Sequence, residues 1–243
     1  LETLCAALKI GTESYADYRR ITFSNCAVRA ASRLFAIYMR DGGTVEDVLV
    51  SNITGSTKAP LVLNRPIQLM IAKRTPESPV GRIRNISIDQ MSCETDGRIL
   101  LTSIEPDRIS DVRIRNLHLR YPFVEDPTAA GSDIKSAQFP TTLPEVLTAK
   151  AAIVAKNIDN FQLEGLTITW PEYQVPEGWQ IPVRIINGDF NRKFRYDYQQ
   201  PKQTELGVFW GENLNGGRLI IPEAAPSSPT VQKIELNDAT IQY

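Results

Sequence analysis

Six side chains near the start of the chain could act together on a ligand: Lys9, Glu13, Arg33, Tyr38, Arg40 and Asp41. Lys and Arg can hold a carboxylate, and Arg can do so through two parallel hydrogen bonds. Tyr38 offers a hydroxyl and a ring face. Glu13, Asp41, Glu46, Asp47 and Asp96 are the carboxylates available to work with these cations. No spacing among these acids singles out an acid/base pair of the kind hydrolysis of a glycosidic bond requires, in which one carboxyl donates a proton and the other activates water. The same residues also fit a plain alternative, a ladder of ion pairs along stacked strands, each worth about 0–1 kcal/mol at a surface. Asp41-Gly42-Gly43 is itself a turn signal, so Asp41 has a structural use as well.

These residues lie in a stretch, 6–55, that contains one unit written twice. ALKIG precedes RRITFSNCAV, and FAIYMR precedes EDVLVSNIT, with Asn25 and Asn52 standing 27 residues apart. A recurring unit of that length, made only of short alternating strands and turns, is the mark of a stacked coil. The second strand of the unit recurs as Phe23-Ser24-Asn25, Val50-Ser51-Asn52, Ile88-Asp89-Gln90, Ile114-Arg115-Asn116, Leu163-Glu164-Gly165 and Leu236-Asn237-Asp238. Each has an inward apolar residue, an outward polar one and a residue suited to a bend. Amide and carboxylate groups stacked at strand spacing can hydrogen-bond along the stack. The first strand recurs as Leu8-Lys9-Ile10, Ile37-Tyr38-Met39, Ile67-Gln68-Leu69, Ile99-Leu100-Leu101, Ala152-Ile153-Val154 and Val208-Phe209-Trp210. Alternation then stacks Lys9, Tyr38 and Gln68 on the outer face.

The fold expected is all-β: a single-stranded right-handed parallel β-helix of about six coils, forming one domain over 1–243. Two stretches break the period and read as long excursions, 121–148, rich in Pro, Thr, Ser and Ala, and 170–206, carrying Trp170, Tyr173, Trp179, Phe190, Phe194, Tyr196 and Tyr198. Those aromatics read first as glue between loop and coil, and second as platforms for sugar rings. The chain opens in mid-coil without a polar cap, so upstream coils are expected.

Bulk properties narrow the partners. A formal charge of −1 with no basic cluster argues against nucleic acid. No apolar run reaches the roughly 18 residues of a membrane span. Cys5, Cys26 and Cys93 lack metal-ligand spacing and read as buried thiols, with a Cys5–Cys26 pairing as the alternative. His118, between Leu117 and Leu119, points away from the core and reads as a surface residue. No metal or cofactor is expected.

The segment CAALKIGTESYADYRRITFSNC, followed by RLFAIYMRDGGTVEDVLVSNI, resembles the pectin-degrading glycoside hydrolases of family 28, the polygalacturonase group. The likeness is strongest over residues 4 to about 55 and runs thinly to about 170. It implies a right-handed parallel β-helix, inverting hydrolysis of galacturonic-acid linkages, a polysaccharide partner, and action outside the cell or in the periplasm. Two family motifs map onto this chain with substitutions. The Gly-His-Gly motif falls on Cys5-Ala6-Ala7, so Ala6 replaces the His. The Arg-Ile-Lys motif falls on Tyr38-Met39-Arg40, so Arg40 keeps a cation suited to a uronate. The family's catalytic Asp residues would precede Leu1, which leaves the catalytic set of this chain unassigned. A different class of reading is a non-catalytic β-helix that binds or displays carbohydrate. A lyase on the same architecture would need acidic Ca²⁺ clusters where this chain has Lys9, Tyr38 and Gln68.

Overall fold

The computed structural model describes residues 1–58, 64–127, 146, 148–179 and 181–187, and the backbone alone at 188–189, 193–199, 207–215, 218–220 and 233–237. Its strands in chain order are β1 (Ala6–Ile10), β2 (Tyr18–Ala31), β3 (Arg33–Met39), β4 (Thr44–Thr57), β5 (Arg65–Ile71), β6 (Arg82–Glu94), β7 (Ile99–Ser103) and β8 (Ile109–Arg120). They continue as β9 (Ile153–Asp159), β10 (Gln162–Thr169), β11 (Val183–Asp189), β12 (Lys193–Gln199), β13 (Gly207–Asn215), β14 (Arg218–Ile220) and β15 (Lys233–Asn237).

Pairing sorts these strands by parity. The odd strands form one parallel ladder from β1 to β15, the even strands another from β2 to β14, and β8 meets β9 to join the two. A chain that alternates between two parallel ladders while advancing one rung at a time forms a solenoid. The architecture is all-β and parallel, of the β-helix type.

Alternation explains why each rung forms. In the odd ladder Ile10, Ile37, Leu69, Leu101, Ala155 and Ile185 stack in register and are buried. In the even ladder Val50, Ile88, Ile114 and Leu163 form a second buried column. Both columns belong to one core between the ladders. Full burial of each aliphatic side chain is worth about 1.5–3 kcal/mol, and stacking lets every rung share it with two neighbours.

The long even strands bend at residues with positive φ. One column of bends is Asn25 (55°), Asn52 (53°), Gln90 (57°), Asn116 (52°) and Gly165 (67°); a second is Arg20, Asp47, Asn85 and Asp111. Left-handed backbone costs most L-residues about 1–2 kcal/mol, and Asn and Asp bear it best. Amide bonds between rungs add to this: Asn52 Nδ2 donates to Asn25 Oδ1 at 2.7 Å, Asn85 Nδ2 to Asp47 Oδ1 at 2.6 Å, and Asn116 Nδ2 to Asp89 Oδ1 at 2.9 Å. The expected register holds from Phe23 through Leu163. It does not hold at Leu236, which pairs with Gly211 in the odd ladder. Asp238 lies outside the described residues.

Other expectations shift. Lys9 pairs with Ala36 and Ala36 with Gln68, so Tyr38 sits one pleat further along, opposite Met70. A slip of two residues keeps the same face, because the side-chain period is two. Ile99 pairs with Ile153 rather than Ala152, a slip of one that turns Val154 outward. The stretch 170–206 contains β11 and β12, which continue both ladders. Phe194, Tyr196 and Tyr198 do alternate there, but aromatics and charges interleaved do not look like the aliphatic rungs before them. Trp170 and Trp179 are buried, and Trp170 stacks on Tyr121 at 5.1 Å. That is the packing role expected of them; Tyr173, 80% exposed, does not share it, and the side chains of Phe190, Phe194, Tyr196 and Tyr198 lie outside the described residues. Of 121–148, Val146 is buried against Leu100 and Val154 on the outer face of the odd ladder.

All three cysteines are free thiols: Cys5 is exposed, Cys26 half-buried and Cys93 buried. Cys5 and Cys26 therefore form no disulfide, and the expectation of buried thiols holds fully only for Cys93. His118 is half-buried, and its Nε2 lies 3.2 Å from Thr169 Oγ1.

Candidate functional site

The turns that follow the odd strands stack along one edge of the solenoid: 11–17 after β1, 40–43 after β3 and 72–81 after β5. Ser14, fully buried, organises them. Its Oγ accepts from the backbone N–H of Arg40 at 2.8 Å and of Asp41 at 2.9 Å, and its own N–H donates to Asp41 Oδ2 at 3.1 Å. This close approach requires Gly43, with φ at 69°, since a Cβ there would stand 2.5 Å from the Ser14 carbonyl oxygen.

Arg74 comes in from the next turn. Its Nε donates to Asp41 Oδ1 at 2.6 Å, its Nη2 to Oδ2 at 2.8 Å, and the same Nη2 reaches the Thr12 carbonyl at 3.3 Å. Its backbone N–H donates to the Arg40 carbonyl at 3.0 Å. The hydrogen bonds from Arg74 hold the Asp41 carboxyl below the usual carboxylate range against the opposing effect of burial. Burial lowers the Arg40 guanidinium, and neighbouring Arg74 lowers it further. The Arg74 guanidinium is pushed up, chiefly by its bonds to Asp41.

The six residues read from sequence do not converge on one point. Tyr38 is 3% exposed, covered on the face expected to form an open floor; its hydroxyl donates to Gln68 Oε1 at 2.9 Å. Burial raises its hydroxyl to about 12. Lys9 is exposed, with its Nζ 5.6 Å from the Tyr38 ring centre, a cation–π arrangement. Arg33 lies at the start of β3, the opposite end from Arg40, with its Nε bonded to Gln68 Oε1 at 3.0 Å. Arg40 is nearly buried, Asp41 is locked to Arg74, and Glu13 is exposed on the turn above. Arg74 and Ser14 carry the geometry of this edge, and sequence reasoning missed both. Arg74 stands 33 residues after Asp41, close to one coil, and that spacing was the available signal.

Comparison with known family models, curated proteins and solved structures finds no match to this chain. The functional reading therefore rests on what the edge can do chemically. Asp41 is a poor general acid, because both its oxygens accept from Arg74 and its carboxyl stays ionised. Arg74 is different: its side chain is 34% exposed, and among the described residues no group accepts from its Nη1. Arg40 and Arg74 are balanced by Asp41 and by Glu13, whose carboxylate acts on Arg74 from the turn above, so the edge offers an oxyanion an unengaged donor rather than a surplus of charge. With the exposed Tyr15 ring beside them, 74% accessible, they form an edge suited to an oxyanion carried on a hydroxyl-rich ring. Among the described residues no helix is long and apolar enough to cross a membrane.

Proposed function

We propose that this chain forms a right-handed parallel β-helix that holds an acidic polysaccharide, in the manner of a family-28-like inverting glycoside hydrolase acting outside the cell. The observation that carries the reading is the outward Nη1 of Arg74, held in place by Asp41 and backed by Arg40. A guanidinium already oriented by one carboxylate can accept a second at its remaining donors with little further ordering cost. Stacked turns repeat at strand spacing, so a linear polymer with a carboxylate on each ring matches a linear edge.

The second reading is a non-catalytic carbohydrate-binding solenoid. It is favoured by the engagement of Asp41, both of whose carboxylate oxygens are held by Arg74. Calorimetric titration with oligogalacturonides and with neutral glucan oligomers tests what the readings share. Preferential binding of the uronates, weakened in Arg74→Lys by loss of the planar fork, supports them. Equal binding of both classes, or none, refutes them. Reducing-end release from pectic glycans then separates hydrolase from binder.

A further inference from the structure

At the opposite end of β5, the turns that precede the odd strands enclose a cavity of about 360 Å³. Thr57, Lys58, Asn64, Glu94, Asp96 and Phe123 line it. The volume falls in the range of about 300–1,000 Å³ typical of small-molecule sites. It lies away from the Arg74 edge by the length of a seven-residue strand, roughly 20 Å.

The chemistry of this lining selects a ligand. Glu94 is neutralised twice: Lys58 Nζ stands 2.7 Å from Oε1, and Arg120 Nη2 pairs with Oε2. Lys58 and Arg120 balance Glu94 and Asp96, so the cavity has no charge surplus for either an anion or a cation. Asp96 is half-buried and held by Asn64 Nδ2, which donates to Oδ1 at 2.8 Å. Among the described residues none donates to Asp96 Oδ2, which leaves a fixed, strong acceptor at the cavity wall. Behind it, Thr57 Oγ1 donates to Thr95 Oγ1 at 2.6 Å, and Thr95 Oγ1 accepts from the Gly97 N–H at 3.0 Å, so the floor is rigid. At the rim Phe123 is 59% exposed, a large apolar ring outside the core.

We propose that this cavity is a binding subsite for a neutral pyranose. An uncharged sugar has an apolar face that fits the Phe123 ring and hydroxyls that donate to Asp96 Oδ2. A fatty or aromatic ligand would leave that acceptor unmet, which is costly in a partly closed site. The proposal stands apart from the acidic-sugar reading, since it uses none of the residues on the Arg74 edge.

The test is saturation-transfer NMR and calorimetry on the full chain. The neutral probes are methyl glycosides of galactose, glucose and xylose, with methyl galacturonoside as the charged comparator. At least one neutral glycoside should bind, with little change between low salt and about 0.5 M NaCl. Phe123→Ala, at an exposed position that the core does not need, should weaken it about tenfold. Asp96→Asn should weaken it similarly, and Arg74→Lys should leave it unchanged. Absence of binding by all three neutral glycosides overturns the proposal. So does binding that Phe123→Ala does not alter, or binding confined to the uronoside. Because Arg74→Lys reads on the other edge alone, failure of one site does not mimic failure of the other.

Discussion

Replacing Asp41 by Asn tests the candidate edge most directly, because it changes one charge and almost no volume. The Asp41 side chain is 1% exposed and accepts two short bonds from a guanidinium that is 34% exposed. Breaking a fully buried pair from one side costs about 3–5 kcal/mol. Solvent reaches Arg74, so the expected loss is smaller, about 2–3 kcal/mol at neutral pH. Part of it arises because Arg40 and Arg74 then face each other without the intervening carboxylate. The loss should depend on pH in a defined direction. The Asp41 carboxyl titrates lower in the folded chain than in the unfolded one, where it lies near the reference of about 3.9. Its contribution is therefore complete above that reference and disappears as pH falls through the folded value. Urea denaturation at neutral pH and at about pH 3 should show the gap between wild type and Asp41→Asn shrinking in acid, because the carboxyl of the unfolded wild-type chain gains a proton there while the folded one, held lower, resists it. Glu94, held low chiefly by its bond from Lys58, gives both proteins a shared acid sensitivity that cancels in the difference. A loss below about 0.5 kcal/mol at neutral pH, or a gap that stays constant into acid, would refute the assignment.

Three further outcomes are expected. Gly97→Ala would place a Cβ 1.7 Å from the Asn64 carbonyl oxygen, so neighbouring rungs must separate; a loss of about 3 kcal/mol in urea unfolding is expected, and less than about 1 would contradict the close approach. Asn52→Ala should cost more than Asn52→Gly by about 1 kcal/mol, because Gly loses the bond to Asn25 yet adopts φ of 53° freely; equal losses would remove backbone strain from the account. Burial raises the Cys93 thiol to about 12, so a thiol reagent at mildly alkaline pH should modify Cys5 first, Cys26 next and Cys93 only on unfolding. Labelling of Cys93 in the folded protein would show that the core is open there.

The odd and even ladders were legible because rung-to-rung identity is a local property. Ile10, Ile37 and Leu69 each sit in a short alternating run, and Asn25 and Asn52 each end one, so the coil is visible from residue type alone. Legibility failed where a rung changed its chemistry. β12 sets Tyr196 and Tyr198 opposite Leu163 and Leu166, aromatics where aliphatics stand one rung earlier, and the period was lost there although β11 keeps Val183 and Ile185 inward. Site residues fared worse, since strand alternation says which face a side chain takes and nothing about what later covers that face. Tyr38 took the predicted face and is buried all the same.

By itself, the sequence determined the all-β class, the parallel stacking unit, the bends at Asn and the columns of aliphatic core, all of which follow from period-two alternation and the tolerance of Asn for left-handed backbone. Only the tertiary structure decided that Arg74 turns back to grip Asp41 and that Ser14 ties two turns together. It alone brought Asn64, Asp96 and Phe123 around one cavity. The physical reason is the same in each case. These contacts join residues about one coil apart or more through side-chain reach, and a coil of variable length sets no register for its turns until the rungs have stacked.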